Sequence, residues 1–223
     1  MSGEAGGEES IPRPRQSAVM ELLGRWRVVL VLEVLLVELT ILFLATSVPI
    51  DVTTRQALQS EAKSLSRSTS GLSPPDMFLF IFTHNVVVAF GEMVPVLGGF
   101  LWVISIYATG QVIQLVALSQ GAPGLLYGFL ILFFPFAIVE LSAYAVAVTS
   151  GAMLIVAWRR RRLRAEAKVL VLEAGIVAAL LLSAAAMETV TIVDPTLGLF
   201  LWMPTGTILT VLAWITRRPG RRV

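Results

Sequence analysis

The residues of this chain that could do chemistry are isolated polar side chains inside apolar segments. The only histidine and the only asparagine, His84 and Asn85, are adjacent in one such segment, and Glu140 interrupts another with Tyr144 four residues later. An unpaired polar group in hydrocarbon costs roughly a few kcal/mol. We therefore expect these four side chains to form an intramembrane polar cluster that faces protein, a partner chain or a wet cavity.

Further glutamates lie in or beside the apolar runs, namely Glu33, Glu38, Glu92 and Glu173. Glu33 and Glu38 are five residues apart, which separates them by about 140° around a helix. They are therefore predicted to make two separate contacts. The apolar runs contain no Lys or Arg, so no buried cation is expected to pair with any of these acids.

The acids allow two interpretations. In the first, His84 and Glu140 form a mid-membrane couple in a proton or cation pathway, and Glu33, Glu92 and Glu173 surround its cytoplasmic mouth. In the second, the same acids hold helices together through hydrogen bonds. Intramembrane ionisable residues occur in both roles, and the sequence does not separate them.

A second polar pattern lies between these segments. Tyr107, Gly110, Gln111 and Gln114 follow one another at i, i+3, i+4 and i+7, which places them on one face of a helix. This polar stripe is expected to face protein or water and not lipid. Interhelical packing and contact with a ligand are both compatible with it.

The chain lacks the residues that several kinds of catalytic site require. A single histidine excludes the zinc-protease motif with two histidines at i and i+4, and the absence of cysteine excludes thiolate chemistry. A pair of Ser105 or Ser142 with His84 has no nucleophile motif around it. No glycine-rich phosphate loop is present. We therefore expect no catalytic residue, no metal and no cofactor.

Composition indicates the class of protein. Of the 223 residues, 56% are hydrophobic and 14% are charged, and the mean hydropathy is +0.82. These values are typical of a membrane protein and not of a soluble domain. The arginines gather in clusters at 13–27, 159–164 and 217–222, a pattern that indicates orientation in a bilayer and not nucleic-acid binding.

The apolar runs predict an all-α, polytopic fold with six transmembrane helices. A span needs about 20 apolar residues, and the runs that approach this length are 28–48, 77–92, 94–118, 125–158, 169–187 and 199–215. The fourth run is too long for one straight crossing and contains Pro135, so we expect that element to be broken near Pro135. The segment 49–76 is predicted to be a short interfacial helix or a solvated loop.

The positive-inside rule places all three arginine clusters, and with them both termini, in the cytoplasm. The predicted organisation is a disordered tail at 1–10, a cytoplasmic interfacial segment at 11–27, a membrane domain at 28–217 and a basic tail at 218–223. The segment 11–27 is either a helix on the membrane surface or a charged flank of the first span. The expected location is the cell membrane, with several crossings.

Several of these residues resemble a known family. The combination of Asn85 and Gly91, the glycines Gly98, Gly99 and Gly110, the pair Glu140-Leu141 and then Gly151 is similar to the stage II sporulation protein M family. The resemblance covers about residues 78–154. It departs from the family pattern at Phe136-Ala137, where a His-Gly pair is common, and at Thr109. It implies a polytopic scaffold in a membrane-bound assembly, which in spore formers works with cell-wall-degrading partners.

Three functions remain open from the sequence. The first is a membrane scaffold or assembly subunit without catalytic activity. The second, based on the layout of spans alone, is a permease subunit of an ABC-2-type exporter driven by a separate cytoplasmic ATPase. The third is an intramembrane enzyme. Besides the lipid bilayer, the expected partner is a second copy of the chain, because its glycine and alanine stripes and buried acids lack enough partners within one small chain.

Overall fold

The computed structural model of the protein describes residues 24–69, 71–203 and 205–206, and within these ranges the fold is all-α. The predicted disordered tail at 1–10, the basic tail at 218–223 and nearly all of the interfacial segment at 11–27 lie outside the described residues. The final predicted span, 199–215, also lies mostly outside them.

Eight helices are described. In chain order they are α1 Arg25–Ser47, α2 Val52–Thr69, α3 Pro74–Glu92, α4 Leu97–Ser119, α5 Gly124–Leu132, α6 Pro135–Arg159, α7 Leu163–Val193 and α8 Pro195–Phe200. Proline lies in the first turn of α3, α6 and α8, where its missing N–H leaves no hydrogen bond unmade. Asp194 caps α8 by accepting from the backbone N–H groups of Thr196 and Leu197.

Four of the described helices are long and apolar enough to cross a membrane, in the segments Trp26–Ser47, Leu97–Ser119, Pro135–Arg159 and Leu163–Val193. The predicted span at 77–92 is helical, as part of α3, but it is not among the four. This 19-residue helix has a lower share of apolar residues, because it contains two prolines and the polar residues Asp76, His84, Asn85 and Glu92. The described residues therefore support four of the six predicted spans.

The fourth apolar run is interrupted where the sequence predicts it. α5 ends at Leu132 and α6 begins at Pro135, so Phe133 and Phe134 separate two helices. The indole N–H of Trp202 donates to the carbonyl oxygen of Phe133 at 2.5 Å, which satisfies a backbone acceptor that the break leaves free.

The segment 49–76 contains a helix, α2, and not only a loop. Asp51 precedes this helix and accepts from the backbone N–H groups of Thr53 and Thr54 at 2.9 and 3.0 Å. The hydroxyl of Thr54 also donates to Asp51. These hydrogen bonds favour the ionised carboxylate and hold the pKa of Asp51 below its usual value, with the bond from the Thr54 hydroxyl as the largest cause.

The long helices pack into one bundle. α7 lies along α6 and also against α3, while α1 lies against α4 and α6. The buried apolar core runs between them and includes Leu42, Ala89, Trp102, Ile106, Leu141, Tyr144, Val177 and Leu181.

Glycines allow the backbones of these helices to approach closely. A Cβ atom on Gly98 would clash with the backbone carbonyl of Glu92, and one on Gly151 would lie 2.8 Å from the carbonyl oxygen of Met93. The turn between α3 and α4 is therefore held tightly against α6. This close packing fixes the backbone on which Glu92 is carried.

Candidate functional site

Four acids from four different helices interact electrostatically in the interior of the bundle. They are Glu38 of α1, Glu92 of α3, Glu140 of α6 and Glu188 of α7, and we call them the core acid cluster. Glu38 interacts with Glu92 and Glu140, and Glu140 also interacts with Glu92 and Glu188. Glu38 and Glu92 are completely buried, with 0% of each exposed. Whenever two of the four acids are ionised, their like charges repel each other across the core.

Two of these acids have hydrogen-bond donors. The hydroxyl of Tyr144 donates to Oε1 of Glu140 at 3.0 Å, and the hydroxyl of Ser105 donates to Oε1 of Glu92 at 2.9 Å. The Tyr144 contact joins positions i and i+4 of one helix. The predicted pairing of Glu140 with Tyr144 is therefore present in the fold.

The remaining oxygens of Glu38 and Glu92 are unsatisfied. Within the described part of the chain, both carboxyl oxygens of Glu38 and Oε2 of Glu92 lack a hydrogen-bond partner. The indole N–H of Trp102 interacts with the Glu38 carboxyl, but outside hydrogen-bond geometry, so Nε1 of Trp102 is also without a partner among those residues. A donor and an acceptor are thus buried near each other without being joined.

The core acid cluster is not neutralised by the chain as described. No Lys, Arg or His in the described ranges forms a hydrogen bond or an ion pair with its four acids. Nor does any group of three or more His, Cys, Asp or Glu among those residues lie close enough together to hold a metal ion. The acids are near enough to repel one another but too far apart to be the ligand set of one metal.

A second buried group of charges is paired. Arg27, at the start of α1, donates from Nη1 to Glu173 at 2.6 Å and from Nη2 to Glu166, both on α7. Arg27 is 6% exposed and Glu173 5%. We call these three residues the Arg27 ion-pair group, and they fasten the first turns of α1 to the first turns of α7.

This ion-pair group corrects the expectation that no buried cation would pair with the acids. The sequence places Arg27 in the charged flank before the first span, whereas α1 already begins at Arg25. Arg27 is therefore helical and precedes Glu38 by 11 residues, which puts both on the same face of α1 about 16 Å apart. That face is the buried one.

The structure separates His84 from the other members of the predicted polar cluster. α3 buries one stripe, Asn85, Ala89 and Glu92, at i, i+4 and i+7. His84 is one residue out of that stripe and its side chain is exposed. No hydrogen bond or ion pair of the described residues includes His84, so the predicted couple with Glu140 is not formed.

The acids predicted at one cytoplasmic mouth lie in three different environments. Glu33 is exposed on α1, Glu92 belongs to the core acid cluster, and Glu173 belongs to the Arg27 ion-pair group. The predicted separation of Glu33 from Glu38 around α1 is present, because one is exposed and the other buried.

The predicted polar stripe on α4 is only partly buried. Gln111 and Gln114 are 4% and 7% exposed, and Nε2 of Gln111 donates to the carbonyl oxygen of Ala45 on α1 at 2.7 Å. Tyr107 is 43% exposed. The buried face of α4 passes through Trp102 and Ile106 in its first half and turns toward the glutamines only in its second half, so Tyr107 lies outside it.

Sequence reasoning missed Arg27, Trp102 and Glu188 as members of these sites, and it considered Ser105 only as a nucleophile beside His84. The predicted span ends at 187 and leaves Glu188 just outside it, but α7 continues to Val193 and carries Glu188 into the bundle. The segment 188–193 retains threonine, isoleucine and valine without glycine or proline, which is the signal for a longer helix.

A separate basic cavity of about 690 Å³ lies where α6 connects to α7. Arg161, Arg162 and Arg164 line it together with Trp158, Leu163 and Ala165. The cavity belongs to the arginine cluster at 159–164 and not to the core acid cluster.

Comparison with known proteins gives one match. A family model described as "Stage II sporulation protein M" matches residues 28–191, which is more than half of the chain. The match includes the core acid cluster, whereas Arg27 lies one residue before it. No curated protein and no solved structure matches the chain. The resemblance carried by Asn85, Gly98 and Glu140 is thereby confirmed, whereas the ABC-2 permease alternative receives no support.

Proposed function

This chain belongs to the stage II sporulation protein M family, and from that premise we propose that it is an assembly subunit of a membrane complex, without catalytic activity of its own. In this proposal it lies in the cell membrane with several crossings and both termini in the cytoplasm. Its task is to hold copies of itself, and through them other membrane proteins, in a defined arrangement.

The observation that carries the proposal is the exposed carboxyl group of Glu33. Glu33 lies within the apolar segment Trp26–Ser47, about 10 Å along the helix from Trp26. Its side chain is exposed, and no hydrogen bond or ion pair of the described residues includes it. An ionisable group on the lipid-facing side of a span is costly. A neighbouring protein helix removes that cost.

Glu33 is part of a regular pattern. Glu33, Thr40 and Ser47 are spaced seven residues apart, and all three are exposed. Leu36 and Leu44, between them, are 66% and 61% exposed. We call the three polar residues the α1 polar stripe. Polar residues at a seven-residue repeat, flanked by leucine, are typical of a seam between two helices.

A second copy of the chain fits this stripe. Copies inserted in the same direction place their α1 helices parallel, so Glu33 faces Glu33 and Thr40 faces Thr40. A carboxyl group accepts a hydrogen bond and, when protonated, also donates one, so two Glu33 side chains can satisfy each other. The stripe is therefore complementary to itself.

Cysteine cross-linking in native membranes tests this contact, because the chain has no cysteine of its own. The variant Leu36→Cys should form a disulfide-linked dimer. Val171→Cys is the matched control, since Val171 is 71% exposed on α7, away from the α1 polar stripe. Adding Glu33→Leu should weaken dimer formation by roughly five- to thirty-fold, equivalent to about 1–2 kcal/mol, and Glu33→Gln should preserve it.

Each other outcome decides against part of the proposal. Equal cross-linking at positions 36 and 171, with only monomer in native mass spectrometry, would overturn assembly through α1. Cross-linking of position 36 to a different membrane protein would keep the assembly role and overturn self-association.

A further inference from the structure

The basic cavity at the connection of α6 to α7 lies between the ends of two helices that are long and apolar enough to cross a membrane. One of these helices ends at Arg159 and the next begins at Leu163. The cavity therefore lies at the depth where hydrocarbon gives way to lipid headgroups and water. Its volume of about 690 Å³ falls within the range of small-molecule pockets, roughly 300–1,000 Å³.

The arginines that line this cavity have no anionic partner in the described part of the chain. Arg161, Arg162 and Arg164 each bring a positive charge to the lining, and no acid is among the described residues that line it. No ion pair or side-chain hydrogen bond between described residues includes any of these three arginines. Glu166 is the nearest acid along the chain, but its carboxylate is bonded to Arg27. An anion in the cavity would therefore meet three guanidinium groups without a competing acid in the lining.

The turn holds one of these arginines in an unusual backbone conformation. Arg161 has a φ of 57°, in the left-handed region that glycine adopts most readily. Its N–H donates to the carbonyl oxygen of Trp158 at 3.1 Å, and the N–H of Arg162 donates to that of Ala157 at 2.8 Å. Hydrogen bonds thus close the turn and fix its shape. Glycine would relieve the strain at position 161 but would remove a guanidinium group from the cavity.

Apolar side chains line the same cavity beside the arginines. Trp158 is 68% exposed and Leu163 is 43% exposed, at the end of α6 and the start of α7. Tryptophan is favoured at the level of lipid headgroups, where its ring is partly in contact with apolar groups. A soluble phosphate compound gains nothing from these side chains, whereas a lipid presents a phosphate and an apolar body together. The lining is therefore complementary to a lipid.

We propose that this cavity binds the phosphodiester headgroup of an anionic phospholipid. Guanidinium groups pair with phosphate oxygens through two parallel hydrogen bonds, and basic pockets between membrane helices bind acidic headgroups. Phosphatidylcholine carries the same phosphate together with a quaternary ammonium, which the three arginines repel. The cavity therefore selects lipids of net negative charge. This site is independent of the contact between copies, because it includes no residue of the α1 polar stripe.

Native mass spectrometry of the full-length protein in mild detergent tests the proposal by resolving each bound lipid during a titration. The probes are phosphatidylglycerol and phosphatidylcholine with identical acyl chains. The first phosphatidylglycerol should bind roughly tenfold more tightly than the first phosphatidylcholine, or more tightly still, because basic residues near the headgroup favour only the anionic lipid. Equal affinity for the two lipids would overturn the proposal.

Two triple variants with the same loss of charge separate the cavity from general attraction of anions. The cavity variant combines Arg161→Gln, Arg162→Gln and Arg164→Gln. The matched control removes three exposed cations of the same region that do not line the cavity, through Arg159→Gln, Arg160→Gln and Lys168→Gln.

The two variants should differ strongly in their affinity for phosphatidylglycerol. The cavity variant should bind it roughly a hundredfold more weakly, because each arginine contributes a factor of roughly five. The control should lose less than about fivefold, because salt screens charges that do not contact the headgroup. Equal losses in the two variants would overturn a specific site. If the cavity variant fails to fold, Arg162→Gln and Arg160→Gln give the same comparison, with a loss of roughly fivefold expected only for Arg162→Gln.

A soluble probe separates a lipid from a free phosphate compound. Glycerophosphoglycerol is the headgroup of phosphatidylglycerol without acyl chains, and it should bind far more weakly than the lipid. Trp158→Ala should weaken the binding of phosphatidylglycerol and leave that of glycerophosphoglycerol unchanged. If the soluble headgroup bound as tightly as the lipid, and lost its affinity in the cavity variant, the cavity would be a site for soluble phosphate compounds and the lipid proposal would be wrong.

Discussion

One helix, α1, contributes to two groups of buried ionisable residues. One group contains charges of both signs, and the other contains only acids. At its start, Arg27 binds Glu173 and Glu166, so the chain supplies both the charge and its partner. About 16 Å further along the same face, Glu38 meets only other acids and the unpaired indole N–H of Trp102. Burial is nearly equal in the two places, at 6% exposed for Arg27 and 0% for Glu38.

The two groups differ in whether the described chain supplies an opposite charge. In the Arg27 ion-pair group the chain supplies both signs of charge, and their contact fastens α1 to α7. Within this group, only Oε2 of Glu173 has no hydrogen-bond partner among the described residues. The acids of the core acid cluster have no cation to pair with among the described residues. The two groups are buried to a similar extent, so burial does not distinguish them. Their hydrogen-bond and ion-pair partners do.

Arg27→Gln should have the largest effect on stability. It leaves Glu173 buried without its cation, and removing one partner of a buried ion pair costs about 3–5 kcal/mol. Unfolding of the purified protein in mixed micelles, followed by circular dichroism, measures this loss. Arg159→Gln is the matched control, because Arg159 is exposed at the end of α6 and belongs to no ion pair of the described residues.

A triple variant tests whether the loss comes from the orphaned charges. Arg27→Met combined with Glu173→Gln and Glu166→Gln removes the cation and both anions together. It should recover most of the stability that Arg27→Gln loses, since neutral groups of similar size often replace a buried ion pair without loss. If the triple variant were as unstable as Arg27→Gln, the role of Arg27 would be packing and not charge pairing.

Gly98→Ala should have an intermediate effect on stability. This substitution acts near Glu92, in the core acid cluster. The new Cβ atom would clash with the backbone carbonyl of Glu92, so α3 and α4 must move apart at a cost of about 1–3 kcal/mol. Gly99→Ala is a control in the adjacent position, where a Cβ atom meets nothing within 4 Å. The same unfolding measurement compares the two. Equal stability of the two variants would show that close packing does not hold the core acid cluster together.

The sequence predicts those parts of this fold that depend on local geometry. The separation of Glu33 from Glu38 follows from helical periodicity, and the break near Pro135 follows from the missing N–H of proline. The contact of Glu140 with Tyr144 follows from i, i+4 spacing. Each of these features lies within one element.

The remaining features depend on contacts between elements. Arg27 finds its partners 139 and 146 residues away, and no local pattern encodes that pairing. α3 is apolar on most of its surface, so hydrophobicity does not show which side is buried. The polar residues do show it, since Asn85 and Glu92 share a stripe at i and i+7 that His84 does not join. Adjacent residues of a helix point in different directions, so His84 and Asn85 do not share a face.

Substitution of Asp51 should have the smallest effect on stability. Because Asp51 is exposed, it can be compared with the two buried groups of ionisable residues. Its pKa is held below the usual value by hydrogen bonds from Thr54 and Thr53 at the start of α2. A lowered pKa in the folded state means that the ionised cap stabilises α2 above the pKa of the unfolded chain. That contribution is lost as the pH falls through the lower, folded pKa, below about 4. Amide hydrogen exchange in the first turns of α2 measures it.

Two variants divide the contribution of the Asp51 cap from that of its charge. Asp51→Ala removes the acceptor, so exchange in the first turns of α2 should accelerate at neutral pH. Asp51→Asn keeps an acceptor without a titratable charge, so exchange should stay slow and lose its excess pH dependence. Unchanged exchange in Asp51→Ala would mean that packing, and not the cap, orders the start of α2. The exposed Asp51 would then contribute little to stability, because water replaces the hydrogen bonds that the variant loses. Water cannot replace a lost partner of the buried Arg27 and Glu173.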